Sequence, residues 1–441
     1  MFAPGLISRS QQGVTQDQLP GCCLSSVVNG KYTGPVYHRD AAGRFGEPTL
    51  IARAPSKGKY VWACDGLSEL GPYDGARVKI TIFGLALSSS WGNGHATPYR
   101  AILRALHRRG ARSIFYEQDL PYYAAHRDFH VSPDCELKLY PCWDDVRVGA
   151  LRDVAESDIV INASYCPDGA RISDEVLDTE GPLHIFYDLD TPITLNALAS
   201  HGSDYLRRDQ IPRFDLYLSF TGGRVLQELE RQYGAQLARP LYGCVDPETY
   251  QRVASHDGFR CWFSYLGTYA PDRQQKLNEL FLEPARRRPG LPFVLAGSLY
   301  PREWIWPGNV KRFEHVAPGQ HAALYSSSRA TLNITRREMA DSGYCPSGRF
   351  FEAAACGTPI LTDWWEGLDA FFDPEHELCV VRTAEDVLAC LSLSDGELRA
   401  KAERARSRTL ADHTGDRRAT QLLAHCEEAY RHKKVSREVM V

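Results

Sequence analysis

The sequence predicts an α/β fold in which two doubly wound, Rossmann-like domains face a cleft, with an extra N-terminal segment in front of them. Its 441 residues are more than one ordinary hydrophobic core organises. From Val78 onward, apolar strand-like runs alternate with helical stretches, a pattern typical of parallel sheets covered by helices on both faces. A break near Gly243 divides this alternation into two series.

The first series, residues 78–243, begins with a buried strand at 79–84 that ends in a glycine-containing loop. Apolar residues between Pro98 and Arg109 then follow at helical spacing, and Gly110 ends that helix. Further strands are predicted at 113–116, 159–161, 184–187 and 216–220, and a helix that runs through Gln232 follows the last of them.

Gly243 and Pro247 fit poorly inside helices or strands, so residues 244–260 are expected to link the two domains. The second series covers residues 261–410, and residues 411–441 are expected to form a C-terminal helix that crosses back to the first domain. Strands of the second series are predicted at 262–266, 293–296, 310–313, 330–334, 359–362 and 378–381, before helical segments at 397–432. Ligands of such folds bind at the carboxyl ends of the strands.

Residues 1–77 differ in texture from the rest of the chain, since they are rich in Gly, Pro and polar residues. Short β-like runs occur at 49–52 and 59–63, but no helical period is present. We expect an appended segment of unknown role that is partly disordered before Leu19.

Composition excludes several function classes. A formal net charge of -4 gives no overall attraction to nucleic acid or to anionic membranes, although a local basic pocket is compatible with it. No segment is apolar enough to span a bilayer, and the first 21 residues lack a secretory pattern. Thirteen cysteines without a CxxC pair indicate reduced thiols and a cytoplasmic protein. The histidines show no metal-binding spacing.

The strongest local signal is the run from Pro346 to Pro359. Ser347 and Gly348 are suited to open a helix, whose free amides and positive dipole end would attract an anion at the edge of the sheet. Glu352 lies about one turn further on and would reach the ribose attached to a diphosphate. The alternative is a surface helix whose glutamate merely favours the positive end.

Several stretches of the chain resemble the donor domain of GT-B glycosyltransferases, particularly retaining enzymes of the family 4 type and the spore-maturation CgeB-like glycosyltransferases. These stretches are 265–269 with Asp272-Arg273, 295–297, 352–359, 362–368 and the linker 245–247, with 90–94 and 188–192 in the first domain. The resemblance covers about residues 79–425. It implies the GT-B fold, with an acceptor domain first and a nucleotide-sugar donor domain second.

The resemblance implies that Glu352 binds the donor ribose and that Arg273 meets the diphosphate, for which the fork of an arginine is suited. The alternative for Arg273 is a solvated charge on the surface of a helix. Arg336 on the loop before the Glu352 helix would also contact the diphosphate, unless it is solvated. Further donor-binding positions are expected at Gly267, Thr268, Gly297, Ser347, Gly348 and Arg349. The base of the nucleotide is expected to lie along Phe313, Glu314 and His315. The alternative is that these three residues simply end a strand.

One position departs from the retaining signature. Enzymes of that type carry a glutamate eight positions before the ribose glutamate, where this chain has Tyr344. The donor-sugar contact would then come from elsewhere, such as the backbone amides of 345–348.

In the first domain, Gly94 and His95 follow the first strand and lie in a Gly-His-x-x-Pro pattern resembling the base-bearing motif of inverting GT-B enzymes. His95 is a candidate general base that Asp188 or Asp190 would orient. Alternatively, His95 caps a helix or lines the acceptor pocket, and Asp190 caps the helix that follows it. The Asp-Leu-Asp run also permits a metal interpretation, but an aspartate that bonds sugar or acceptor hydroxyls is preferred.

These observations predict transfer of a sugar from a UDP-, GDP- or dTDP-sugar to an acceptor, with retention and without a required cofactor or metal. The acceptor is open: a small metabolite, a polysaccharide, a protein or a modified nucleic acid. Two rivals remain. A nucleotide-sugar epimerase of the same fold would turn over without acceptor, and a silent glycan- or nucleotide-binding module would bind without releasing diphosphate.

Overall fold

The computed structural model describes residues 78–92, 94–129 and 132–440, with side chains described up to residue 435. The strand-like runs predicted at 49–52 and 59–63 lie outside the described residues, as does the whole segment 1–77.

Seven parallel strands form the first sheet of the described chain, in the order β3-β2-β1-β4-β5-β6-β7. Helices pack on both faces of this sheet, which makes the first domain doubly wound. The strands are β1 (Lys79–Gly84), β2 (Arg112–Gln118), β3 (Glu136–Tyr140), β4 (Ile159–Ala163), β5 (Leu183–Asp188), β6 (Leu216–Ser219) and β7 (Ala238–Pro240). The helices are α1 (Ala96–Arg108), α2 (Pro121–Ala124), α3 (Trp143–Ala155), α4 (Gly169–Leu177), α5 (Thr191–Ser200) and α6 (Arg224–Gln232).

Six parallel strands form the second sheet, again counted over the described residues, in the order β10-β9-β8-β11-β12-β13. They are β8 (Phe263–Leu266), β9 (Phe293–Ala296), β10 (Val310–Phe313), β11 (Thr331–Asn333), β12 (Ile360–Thr362) and β13 (Cys379–Val380). The helices are α7 (Pro271–Leu277), α8 (Glu283–Arg287), α9 (Pro318–Ser326), α10 (Arg337–Ser342), α11 (Gly348–Ala355), α12 (Ala384–Leu391), α13 (Asp395–Asp412) and α14 (Gly415–Met440). The predicted fold class, two Rossmann-like α/β domains, is confirmed.

Helix α14 packs against α1, β5 and β6 of the first domain, although it follows the second domain in the chain. The crossing point is fastened to the interdomain segment, because the Val245 amide donates to the His413 carbonyl and the Gly415 amide donates to the Val245 carbonyl. Gly415 also touches α1 closely, since a Cβ there would lie 2.4 Å from the Ala101 carbonyl oxygen.

The segment that joins β11 to α11 contacts both domains. It begins in the second sheet, yet Met339 and Cys345 are part of the hydrophobic cluster of the first domain. The Arg224 guanidinium donates to the Asp341 carbonyl at 2.6 Å, which adds a polar contact across the same boundary. The start of α11 is therefore held by the first domain as well as by its own.

Candidate active site

A cleft of about 530 Å³ lies where the carboxyl ends of the two sheets meet. The first domain contributes Ser90 and Gly92, which follow β1. The second domain contributes the ends of β8 and β9, the residues after β10, and the side chains of Arg349 and Glu352. This is the position at which ligands of doubly wound sheets bind.

Two glycines let the backbone segments after β8 and β9 approach each other. A Cβ on Gly297 would lie 2.0 Å from the Gly267 carbonyl oxygen, which no side chain tolerates. A Cβ on Gly267 would lie 2.6 Å from Nη1 of Arg349. Gly267, Thr268 and Gly297, all predicted donor-binding positions, lie together in the lining of the cleft.

Glu352 lies on the buried face of α11 and is completely inaccessible to solvent. Its Oε2 accepts from the Tyr325 hydroxyl at 3.4 Å and lies 3.5 Å from Nδ1 of His321. Its Oε1 has no hydrogen-bond partner among the described residues, although the side chain lines the cleft. Burying a carboxylate oxygen without a hydrogen-bond donor costs free energy, and such an oxygen can accept hydrogen bonds from a ligand.

Three buried arginines surround the start of α11. Arg273, Arg336 and Arg349 are at most 9% exposed and line one small cavity with Ser347. Burial lowers the pKa of Arg273, and the neighbouring charges of Arg349 and Arg336 lower it further. Two carboxylates lie within salt-bridge distance of Arg336, since Oδ2 of Asp272 is 3.6 Å and Oε2 of Glu338 is 4.0 Å from its Nε, so three guanidinium groups face two carboxylates. The cavity is therefore electropositive.

Two of the three guanidinium groups are also bonded to backbone carbonyls. Arg273 donates to the Thr268 carbonyl at 2.6 Å. Arg349 donates to the Leu266 carbonyl and, at 3.2 Å, to the Ile334 carbonyl. Arg349 thus ties α11 to the ends of β8 and β11, so its contribution includes holding the walls of the site.

The start of α11 is less accessible than the sequence led us to expect. Ser347 caps the helix, accepting from the Arg349 amide at 3.4 Å, but Ser347 is 4% exposed and Gly348 is buried. The helix end does not open directly onto the gap between the domains. The helix end opens instead onto the arginine-lined cavity, because the segment from β11 covers it.

His95 and Asp190 come together in the first domain. Nε2 of His95 lies 3.6 Å from Oδ2 of Asp190, and both side chains are buried. Asp190 occupies the N-cap position of α5, but its carboxylate makes no capping hydrogen bond. Gly94 is buried beside His95. The geometry thus pairs one predicted aspartate with the predicted base.

Asp188 bonds to residues of its own domain. Its carboxylate accepts from the Tyr217 hydroxyl at 2.7 Å, the Thr194 hydroxyl at 2.9 Å and the Asp190 amide at 3.2 Å. Complete burial raises the pKa of Asp188 to about 6 despite these donors. Through these bonds Asp188 fixes the turn between β5 and α5.

The three residues predicted along the base separate in the structure. Glu314 and His315 line the cleft, whereas Phe313 packs against Phe259 at a ring distance of 5.0 Å, on the far side of β10. Phe313 is thus not among the residues that line the cleft, and its contact with the base stays a prediction.

Sequence reasoning missed two contributors to the cleft. His321 on α9 contacts Glu352, and its own Nε2 lies 2.9 Å from the Val316 carbonyl. Trp91 was noted only as part of a motif, yet its ring lies 3.9 Å from that of His126 and 4.3 Å from that of His315, so it bridges the domains. Spacing along the chain carries no signal for either contact, since both depend on how distant elements meet.

The described residues contain no group of three or more His, Cys, Asp or Glu side chains that could hold a metal ion. Nor does any helix among them have the length and apolar character needed to cross a membrane.

Comparison with known proteins agrees with this geometry. Residues 273–424 match the family described as "Glycosyl transferase-like", a region that holds α11 and all three arginines of the cavity. No curated protein has a significant sequence match to the chain.

Solved structures match over both domains. Sucrose-phosphate synthase from Thermosynechococcus elongatus is 14% identical with a TM-score of 0.56, covering 82% of this chain and 100% of that one. The catalytic domain of starch synthase IV from Arabidopsis thaliana, bound to ADP and acarbose, is 12% identical with a TM-score of 0.58, over 80% and 100%. Anabaena HepE with UDP and glucose is 12% identical with a TM-score of 0.54, over 80% and 100%.

The protein has the GT-B fold. Within this GT-B fold, residues 273–424 are the part that is similar to the glycosyltransferase-like family. The cleft between the GT-B domains is the site described above.

Proposed function

We propose that the protein transfers a sugar from a nucleoside-diphosphate sugar to an acceptor, and that the donor binds in the second domain. The observation that carries this proposal is the pairing of an electropositive cavity with a carboxylate at opposite ends of one short helix segment. Arg273, Arg336 and Arg349 line the cavity, and Glu352 has an oxygen available for a ligand. Arg349 lines both this cavity and the cleft that Glu352 lines, so a diphosphate at the arginines would have its attached ribose on the side of Glu352.

The donor chemistry assigns a role to each group. The arginines offset the charge that develops on the departing diphosphate, where a buried site makes each charge more effective than it is in water. The Glu352 carboxylate accepts hydrogen bonds from the ribose hydroxyls. The relatives crystallised with UDP or ADP support UDP- and ADP-sugars as the first donors to test, followed by GDP and dTDP compounds.

Retention of the anomeric configuration is the stereochemistry we propose, because the donor-domain motifs resemble those of retaining and CgeB-like enzymes. The His95–Asp190 pair favours a second outcome, inversion, since a histidine oriented by an aspartate is suited to take a proton from an acceptor. NMR of the product's anomeric configuration separates the two.

Nucleotide binding tests the proposal directly. At least one of UDP, ADP, GDP and dTDP should raise the melting temperature of the wild-type protein. Glu352→Ala should weaken that binding by about tenfold or more, because a hydrogen bond to a charged group contributes roughly 1.5–3 kcal/mol. Glu180→Ala, at an exposed position outside the cleft, is the matched control and should bind as the wild type does. Absence of any shift with all four nucleotides would contradict the proposal.

A further inference from the structure

Tyr344 occupies a slot formed by both domains. Its ring lies between Gly223 of the first domain and Gly367 of the second, and a Cβ on either glycine would come within 2.6 Å of a ring carbon. Only glycine therefore leaves room for this ring on each side.

The backbone conformation and hydrogen bonds around Tyr344 hold its ring in this position. Tyr344 itself has a φ of 47°, which is uncommon for a residue with a side chain, and Gly223 and Gly367 have φ values of 65° and 86°. The Tyr344 carbonyl accepts from the Gly222 amide at 3.1 Å, and the Tyr344 amide donates to the Glu366 carbonyl at 2.7 Å. Strained backbone of this kind persists only where the surroundings enforce it.

The neighbouring residues reinforce the junction. The Thr221 hydroxyl donates to Sγ of Cys345 at 3.1 Å, and Arg224 donates to the Asp341 carbonyl at 2.6 Å. Residues 221–224 of the first domain thus contact residues 341–345 of the second through side-chain and backbone hydrogen bonds and through packing of the Tyr344 ring.

The segment between β11 and α11, which contains residues 341–345, also lines the electropositive cavity. Arg336, Met339, Cys345 and Ser347 all line that cavity, and all lie between β11 and α11. Separation of the domains at the Tyr344 slot would therefore remove the first domain's contacts with the segment that carries Arg336 and Ser347, which line the cavity together with Arg273.

We infer that Tyr344 is a positioning residue that couples closure of the two domains to anion binding at the start of α11. The inference rests on the proposed function for the identity of the anion as a nucleoside diphosphate. Coupling is reciprocal: the bound nucleotide must tighten the Tyr344 junction by as much as the junction tightens nucleotide binding.

Hydrogen exchange of the unliganded protein tests the junction without any nucleotide. Tyr344→Ala removes the ring, and Gly223→Ala obstructs the slot from the other domain; each should speed amide exchange in residues 220–224. Tyr344→Phe keeps the ring and should exchange as the wild type does. Gly202→Ala controls for glycine strain alone, because Gly202 has a φ of 87° but nothing within 4 Å of its added Cβ. Unchanged exchange in both test variants would overturn the inference.

Nucleotide affinity tests the coupling. For a nucleotide that the wild type binds, Tyr344→Ala should weaken binding by about tenfold, a typical size for coupled sites, and Tyr344→Phe should not. The bound nucleotide should slow exchange in residues 220–224. Equal affinities for the wild type and Tyr344→Ala would overturn the coupling. If the wild type binds none of the four nucleotides, the proposed function fails, whereas the exchange comparison of the unliganded variants still decides the junction.

Discussion

Glu352 and Asp188 show how the same side-chain chemistry serves different ends at two buried positions. Both carboxylates are inaccessible to solvent. Asp188 is saturated by three protein donors, while Glu352 keeps one oxygen without a partner among the described residues. The saturated carboxylate holds backbone in place, and the other is available to a ligand.

Asp188 should leave a signature in the pH dependence of stability. Its pKa in the folded protein, about 6, is raised above the ordinary value of 3.8 by burial. A raised pKa contributes stability below pH 3.8, and that contribution is lost as the pH rises through 6. Asp188→Asn removes the ionisable carboxyl group, so the stability of the variant does not fall in this way as the pH rises. The free energy of unfolding of the variant minus that of the wild type should therefore grow by roughly 2 kcal/mol between about pH 4 and pH 7.

Denaturant unfolding at several pH values measures this difference. Because the variant also alters hydrogen bonds, its stability at any one pH is not informative, and the slope of the difference is the quantity to compare. A difference that stays constant across the range would contradict a raised pKa at Asp188.

At the scale of elements, Arg418 fastens helix α14 to the segment between the domains. Its side chain is completely buried, and its Nε donates to the Tyr242 carbonyl at 2.8 Å and to the Gly243 carbonyl at 2.9 Å. Nη1 donates to the Asp412 carbonyl at 3.1 Å, at the end of α13. Burial lowers the pKa of Arg418 to about 10, so it remains charged at neutral pH.

Arg418→Ala should destabilise the protein by about 2–4 kcal/mol, because it leaves several buried carbonyls without donors. Arg417→Ala is the matched control, since the Arg417 side chain is 53% exposed and its contact with Asp412 spans 3.6 Å. Urea unfolding followed by circular dichroism measures both. Equal stability of the two variants would contradict the role given to Arg418.

Elements with strong local patterns were predictable from the sequence. The strand β1, the helix α1 and the helix α11 lie within a few residues of their predicted positions. The edge strands β3 and β7 were missed, because β3 carries charged residues at alternate positions and β7 is three residues long and ends in proline.

Contacts within the candidate site were predictable only in part. The helix start, the ribose glutamate and the close glycines follow from local spacing and resemblance. The burial of that helix start depends on the segment between β11 and α11, which contacts both domains, and the Tyr344 slot also requires both domains. No local pattern encodes contacts of this kind.

At the scale of the whole molecule, Trp91 provides a way to measure whether the two domains are in contact across the cleft. Its ring contacts His126 in its own domain and His315 in the other. Burial lowers the pKa of His315, with further contributions from His321 and His126. Trp91→Ala uncovers His315, so the pKa of this histidine should rise toward its ordinary value.

Histidine-selective NMR titration measures that pKa directly. Trp364→Ala, which removes a 47% exposed tryptophan outside the cleft lining, should leave it unchanged. An unaltered His315 titration in Trp91→Ala would show that the two domains do not meet at this contact in solution.

The position of α14 has a consequence for how the protein is made. Translation at roughly 5–20 residues per second delivers α14 at least several seconds after the first domain has left the ribosome. Throughout that interval the surface of α1 that α14 covers stays exposed to water and to other nascent chains. The first domain is thus completed by α14, and a chain that stops before Gly415 leaves that surface of the first domain uncovered.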